Sequence, residues 1–204
     1  MPLGILGVII GYLLGSIPTA YIVSRVRTGI DIRTIGSGNM GGANVMREIG
    51  TREGVFVGLF DIAKGAGAIL IAQGLNVSEL WIFGAGFAAV VGHSFPVFAG
   101  FRGGRGSATI IGIFLVLAPM ATLVTLVVVA IPFFTSRKFG GAIIIGFGLL
   151  PLFIWLLEGS LSLVRYALVV DLFMLIRALP DIRHVLGKGI IKDMIRDRWD
   201  RKTK

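Results

Sequence analysis

The sequence predicts an all-α membrane protein of seven transmembrane helices, with the amino terminus outside and the carboxy terminus in the cytoplasm. Three observations carry that prediction. The 204 residues are 55% hydrophobic and only 15% charged, which leaves too little polar surface to cover a water-soluble domain. Apolar runs long enough to cross a bilayer recur from the first residues to about Leu179. The basic residues fall into blocks that a seven-span path collects on one side of the membrane.

The apolar runs lie at 3–24, 54–74, 80–99, 108–134, 140–157 and 161–179. The first could pass for a signal peptide, but it lacks a basic leader and is too long for a signal core, so it is expected to stay as a span. The run at 108–134 fits one long helix or two short ones. Pro119 within it removes a backbone donor and clashes with the preceding turn, so a hairpin near Ala118–Thr122 is locally reasonable. Charge decides between the two. With the hairpin, 18 of the 20 Lys and Arg residues, all but Lys64 and Arg165, share one face; with six spans the blocks oppose each other, against the positive-inside preference.

No polar linker or biased tract divides the chain, so residues 1–204 read as one domain, ending in a basic tail over about 180–204. In that tail Ile190, Ile191, Met194, Ile195 and Trp199 share a helical face, as an interfacial helix requires, while Lys192, Arg196, Arg198, Arg201, Lys202 and Lys204 suit an anionic lipid surface. The lipid bilayer thus accounts for the net charge of +9 without a nucleic-acid partner. Zero cysteines exclude disulfides and thiolate catalysis, and two histidines argue against a histidine metal cluster, so no metal is expected.

Two loops carry the candidate chemistry. The first, DIRTIGSGNMGGANVMREIG at 31–50, holds Gly36, Gly38, Ser37, Asn39, Asn44, Arg33 and Arg47 between two spans. Glycines let amides converge on an anion, and Ser, Asn and Arg add hydrogen bonds to phosphate oxygens; the competing reading is tight turns at the membrane surface. The second, GHSFPVFAGFRGGRGSATIIG at 92–112, places Gly103, Gly104, Arg105, Gly106, Ser107 and Thr109 at the start of an apolar helix, where free amides and the helix dipole suit a second phosphate. It does not fit G-x-x-x-x-G-K-[ST], so nucleotide binding has no support. His93 is either a structural residue bonding a backbone carbonyl or a catalytic one. Asp61 and Lys64, one turn apart within a span, form a structural ion pair or line an active-site floor. Asp171, in the last span, has no sequence-adjacent partner.

GSGNMGGAN with Arg47, then FDIAKG, then GHSFPVFAGFRGGRGSAT resemble, in order and spacing, the signature segments of the PlsY-type acyl-phosphate:glycerol-3-phosphate acyltransferases. The resemblance spans essentially the whole chain. It implies transfer of an acyl group from acyl phosphate to the sn-1 hydroxyl of glycerol-3-phosphate, giving lysophosphatidic acid and phosphate in phospholipid biosynthesis. It further implies a multi-pass protein of the inner cell membrane, a cytoplasmic-side site, no cofactor, and the soluble enzyme that makes acyl phosphate as a partner. Carried over residue by residue, Ser37, Asn39, Asn44 and Arg47 would hold glycerol phosphate or orient its hydroxyl, and Gly103, Gly104, Arg105, Gly106, Ser107 and Thr109 would cradle acyl phosphate. Lys64 and His93 would support the site. The H-x-x-x-x-D box of other glycerolipid acyltransferases is absent, since Phe98 follows His93 at that distance and Gly189 follows His184.

The sequence also departs from the family pattern. Arg105 stands for a usual lysine, Ser107 for a usual valine, and Gly42–Ala43 for an Ala-Thr pair. The third signature, usually R-H-x-x-N-I, aligns with Arg177 to Ile182, so that Ala178 and Asp181 replace histidine and asparagine. A carboxylate there repels phosphate unless it is protonated or paired with Arg177 or Arg183. A diverged member with another substrate, or one that only binds acyl phosphate, is the alternative; a small anion transporter lacks support because no repeated halves or matching mid-span polar motifs occur.

Overall fold

The computed structural model describes residues 1–136 and 139–179, and the side chains of all of these except 131–136 and 139–145. Every regular element among the described residues is helical: α1 (Pro2–Gly15), α2 (Thr19–Thr28), α3 (Gly42–Glu48), α4 (Thr51–Gly74), α5 (Glu79–Ser94), α6 (Ser107–Leu117), α7 (Pro119–Ser136), α8 (Phe139–Glu158) and α9 (residues 161–179), with single 3₁₀ turns at Ile32–Thr34 and Val97–Ala99. Among them, the stretches Pro2–Thr28, Thr51–Gly74 and Glu79–Ala99 have the length and apolarity to cross a membrane. The interfacial helix expected at 190–199 lies outside the described residues, as does Asp181.

The first apolar run is not one uninterrupted helix. It breaks over Ser16–Pro18, because Pro18 has no N–H to continue the ladder and its ring disfavours helix at the residue before it. The break leaves the Ile17 carbonyl available to accept hydrogen bonds from the Thr19 amide (3.0 Å) and the Lys64 ammonium (3.3 Å). The second break falls where Pro119 places it: α6 ends at Leu117 and α7 begins at Pro119, a first-turn position that needs no donor. With 11 residues, α6 is about 16 Å long, roughly half the hydrocarbon thickness of a bilayer.

Glycine sets the helix contacts. The buried residues of α1 are Gly4, Gly7, Gly11 and Gly15, a single stripe. A Cβ on Gly11 or Gly15 would fall on the carbonyl oxygens of Ala85 and Ala89, so α1 and α5 touch backbone to backbone, the small-residue mode of membrane helix packing. Gly65 and Gly112 do the same between α4 and α6, against the carbonyls of Thr109 and Ile62. These two close crossings fix α1, α4, α5 and α6 as a rigid frame, and the largest core cluster, including Ile69, Val90, Phe114, Leu150, Tyr166 and Val170, packs α7, α8 and α9 against it. Large apolar side chains on the opposite faces, such as Leu59, Val127, Leu156 and Leu172, are exposed, as they are when lipid is the solvent.

Candidate functional site

Between α2 and α4 the first loop folds on a local scaffold. Gly36 and Gly38 adopt φ of +57° and +68°, values that side chains rarely take, and turn the chain back on itself. Asn44 is buried and holds the turn: its Oδ1 accepts from the Ser37 amide (3.0 Å), and its Nδ2 donates to the carbonyls of Ile32 and Ile35 (3.3 Å each). Asn44 therefore shapes the loop, and its hydrogen bonds run inward. Ser37 and Arg47 are exposed and Asn39 is half-buried, so these three remain open to a ligand.

A clamp joins this loop to the second one. Asp31 accepts from Arg33 through Nη2 (2.7 Å) and Nε (3.0 Å), while Arg33 Nη1 donates to the Ala99 carbonyl (2.8 Å) and the guanidinium lies 5.0 Å from the Tyr21 ring centre. The Arg33 hydrogen bonds hold the Asp31 carboxyl below its ordinary range, and Asp31 in turn raises Arg33.

The second loop runs back along the end of α5. The amides of Gly103 and Gly104 donate to the carbonyls of Ser94 (3.2 Å) and His93 (3.1 Å). A Cβ on Gly104 would collide with His93 Nε2 and lie 2.8 Å from the Met40 carbonyl, so this glycine is where loop two, the end of α5 and loop one meet. Gly106, at φ +89°, then starts α6, and no side chain caps its first turn. Its amides over Ser107 to Thr109 have no side-chain cap and follow a half-buried Arg105 in the chain, the arrangement that helix amino termini use to hold anions. Ser107 is half-buried, whereas Thr109 is fully buried against α4.

Arg177 reaches the same place from α9. Its Nη2 approaches the Gly104 carbonyl (3.4 Å) and the Ser94 carbonyl (3.5 Å), and its guanidinium sits 4.6 Å from the Phe95 ring centre. Beneath the loops, Asp61, Lys64 and His93 line a cleft with Ile17, Thr19, Met40 and Pro96; its enclosed space, about 10 Å³, takes one water-sized sphere. Lys64 Nζ stands 2.9 Å from Asp61 Oδ1, and Asp61 Oδ1 stands 3.7 Å from His93 Nδ1.

Three segments far apart in sequence thus converge on one polar patch at a common end of the helices. A family model for glycerol-3-phosphate acyltransferase matches residues 5–188, which include both loops and Arg177. The chain belongs to the glycerol-3-phosphate acyltransferase family. It is 38% identical over 208 residues to glycerol-3-phosphate acyltransferase 1 of Dehalococcoides mccartyi, covering 98% of this chain and 99% of that relative. It is 47% identical over 139 residues to the glycerol-3-phosphate acyltransferase of an Anaeromyxobacter species, strain K, covering 66% and 69%. The crystal structure of PlsY, an integral membrane glycerol 3-phosphate acyltransferase, in its glycerol 3-phosphate form superposes with a TM-score of 0.84 at 31% identity, covering 94% of this chain and 98% of that one. The lysophosphatidic acid form of the same protein gives 0.81. Family membership, the apolar helices and this likeness make the chain a multi-pass membrane protein.

The roles of several residues at this patch escape sequence reasoning. Arg33 looks like a free cation in the first loop but is consumed in the Asp31–Ala99 clamp. Ser94 is buried beside His93 and supplies a carbonyl to both Gly103 and Arg177. Met40 meets Gly104 through its backbone carbonyl, which no side-chain pattern announces.

Proposed function

We propose that the protein transfers an acyl group from acyl phosphate to the sn-1 hydroxyl of glycerol-3-phosphate, releasing lysophosphatidic acid and phosphate at the cytoplasmic face of the inner membrane. The observation that carries this reading is the contact at Gly104, where two loops suited to phosphate meet over a polar floor. Both substrates of such a reaction carry phosphate, and both must be held side by side. The relatives' names point to the same acceptor.

An acyl phosphate is already activated, so the protein's task is to hold two anions close, neutralise the departing phosphate and aim the hydroxyl. The hydroxyl oxygen bonds to the acyl carbon, the acyl–phosphate C–O bond breaks with its electron pair leaving on the phosphate, and the hydroxyl proton ends on that phosphate. In this reading the amide of Gly106, the uncapped first turn of α6 and the Arg105 guanidinium receive one phosphate, with Ser107 at its edge, while Gly103 and Gly104, whose amides bond the Ser94 and His93 carbonyls, shape the loop around it. Ser37, Asn39 and Arg47 receive the other substrate on the turn built by Gly36, Gly38 and Asn44. Arg177 fixes the second loop from behind, Thr109 packs that loop's helix onto α4, and Lys64 and His93 form the floor. The path through the membrane has seven spans, with the amino terminus outside, α6 as a short span and Pro119 at the outer turn. The enzyme making acyl phosphate docks on the cytoplasmic side.

Donor choice and regiochemistry test the reaction. Purified protein given glycerol-3-phosphate is expected to make 1-acyl product from palmitoyl phosphate and none from palmitoyl-CoA; acylation from the thioester, or a 2-acyl product, would overturn the reading. The absence of native cysteine makes the path testable too. In intact cells, Met120→Cys is expected to react with an impermeant maleimide and Ser37→Cys only after permeabilisation; the reverse pattern sinks the seven-span path.

A further inference from the structure

Away from the two-loop patch, α2 and α4 part on their outer side. They are tied at two levels, by the Lys64 ammonium donating to the Ile17 carbonyl (3.3 Å) and by Arg27 Nε donating to Glu53 Oε1 (2.8 Å). Beside the second tie lies a groove of about 370 Å³, a volume within the range of small-molecule sites. Ile22, Val23, Val26 and Phe56 make its wall, and Arg27, Arg52 and Glu53 stand where α2 ends and α4 begins. The opposite face of α2, with Ala20 and Ser24, is buried, and Ala20 packs there with Ile32, Val45 and Val57. No side chain among the described residues covers the groove, since Val26 is 79% and Phe56 55% exposed. Two guanidiniums against one carboxylate leave its rim one net positive charge. Glu53, only 18% exposed, is taken by Arg27, whereas Arg52 makes no hydrogen bond among the described residues.

We propose that this groove binds one anionic phospholipid, its phosphate on Arg52 and Arg27 and the start of one acyl chain along Ile22, Val26 and Phe56. The wall is apolar and opens to the bilayer, so a chain enters it without leaving hydrocarbon. From Ile22 to Val26 the helix rises about 6 Å, which accommodates the first few methylenes while the rest of the chain stays among its neighbours. At the rim, a guanidinium fork matches the oxygens of a phosphate and adds charge to the hydrogen bond. Arg27 meets Glu53 through Nε, which leaves its Nη donors for the lipid. A choline headgroup brings its own cation up to the same two arginines, so the net charge selects an anionic lipid. None of the groove residues belongs to the two-loop patch, and a lipid seated here bridges two helices where the polypeptide leaves them apart.

Native mass spectrometry of the detergent-purified chain, titrated with phosphatidylglycerol and with phosphatidylcholine of the same acyl chains, tests this. One phosphatidylglycerol is expected to bind about tenfold or more tightly than phosphatidylcholine, the scale of one charge-assisted hydrogen bond. Arg52→Gln is expected to reduce that preference below about threefold, because the fork that reads the phosphate is gone. Val26→Trp fills the groove, leaves both arginines in place and is expected to abolish the tight site. The paired change Arg201→Gln/Lys202→Gln in the basic tail is the control and is expected to keep the preference. Equal retention of the two lipids would show annular lipid only, and a preference lost in the tail variant but kept in Arg52→Gln would show diffuse surface charge; either overturns the proposal. Loss in Arg52→Gln with none in Val26→Trp would place the headgroup contact outside the groove and overturns it too. Thermal melts with and without phosphatidylglycerol separate loss of the site from loss of the fold: both groove variants are expected to keep the parent's lipid-free melt and to lose the upward shift that the lipid gives, and a parent that shows no shift contradicts a lipid bridging α2 and α4.

Discussion

Adding one methyl group at Gly104 is the sharpest perturbation the site allows. A Cβ there would strike His93 Nε2 on one side and stand 2.8 Å from the Met40 carbonyl oxygen on the other, and an ordinary contact needs 3.4 Å or more. Neither neighbour gives easily: the Met40 oxygen is backbone, and the His93 ring is buried. The loop must therefore retreat, loosening the Gly103 and Gly104 hydrogen bonds to Ser94 and His93. Overpacking of this kind costs about 1–3 kcal/mol of stability, which a rigid helical frame tolerates. Activity is more sensitive, because a displacement on the order of 1 Å between reacting groups costs about a hundredfold. Gly104→Ala is thus expected to fold, melt a few degrees lower and lose about two decades in kcat/KM for acyl transfer from palmitoyl phosphate. Gly67→Ala is the matched control, since a Cβ at that helical position meets nothing within 4 Å. Gly104→Ala activity within about threefold of the parent would refute the claim that the two loops meet at a working contact.

Other outcomes follow from the same geometry. Arg105→Ala removes a charge-assisted hydrogen bond to phosphate worth about 1.5–3 kcal/mol, so kcat/KM should fall by about 10- to 150-fold with folding retained; whichever substrate's KM rises identifies the phosphate that the second loop holds. Lys64→Met strands the Asp61 charge in a buried site and should cost about 3–5 kcal/mol, read as lost monodisperse protein in detergent, with Asp61→Asn/Lys64→Met recovering yield. Asp31 has a carboxyl pKa lowered from an ordinary 3.8 by Arg33, so its contribution to stability is complete above that ordinary value and is lost as pH falls through the lowered one. Thermal melts between about pH 6 and 3 should therefore show an acid-side loss that Asp31→Asn lacks.

Much of the frame was legible because the bilayer dictates length and polarity so strictly. The apolar runs at 54–74 and 140–157 match α4 and α8 within a few residues, and Pro119 marked a real helix boundary. The break at Pro18 is not legible in the sequence, since the apolar run of 3–24 satisfies a span without it and the compensating donor, Lys64, lies 47 positions away. The glycines of α1 signal a close helix neighbour by spacing alone, yet nothing local says that the neighbour is α5. In the site, the loops announced themselves through Gly, Ser, Asn and Arg, and the Asp61–Lys64 pair through its spacing. Their convergence did not, because it is made largely with backbone carbonyls: Ala99 for Arg33, Met40 at Gly104, Ser94 and Gly104 for Arg177. A carbonyl is the same in every residue and leaves no trace in sequence. Asn44 was legible as polar but not as inward-facing, a distinction set by burial.

The most direct test of the account is the product balance of the purified protein in lipid, supplied with palmitoyl phosphate and glycerol-3-phosphate. Phosphate and lysophosphatidic acid should appear in equal amounts, and neither should form when one substrate is omitted. Phosphate released without lysophosphatidic acid, or no product from folded protein, would contradict a single site at which the two loops hold both substrates.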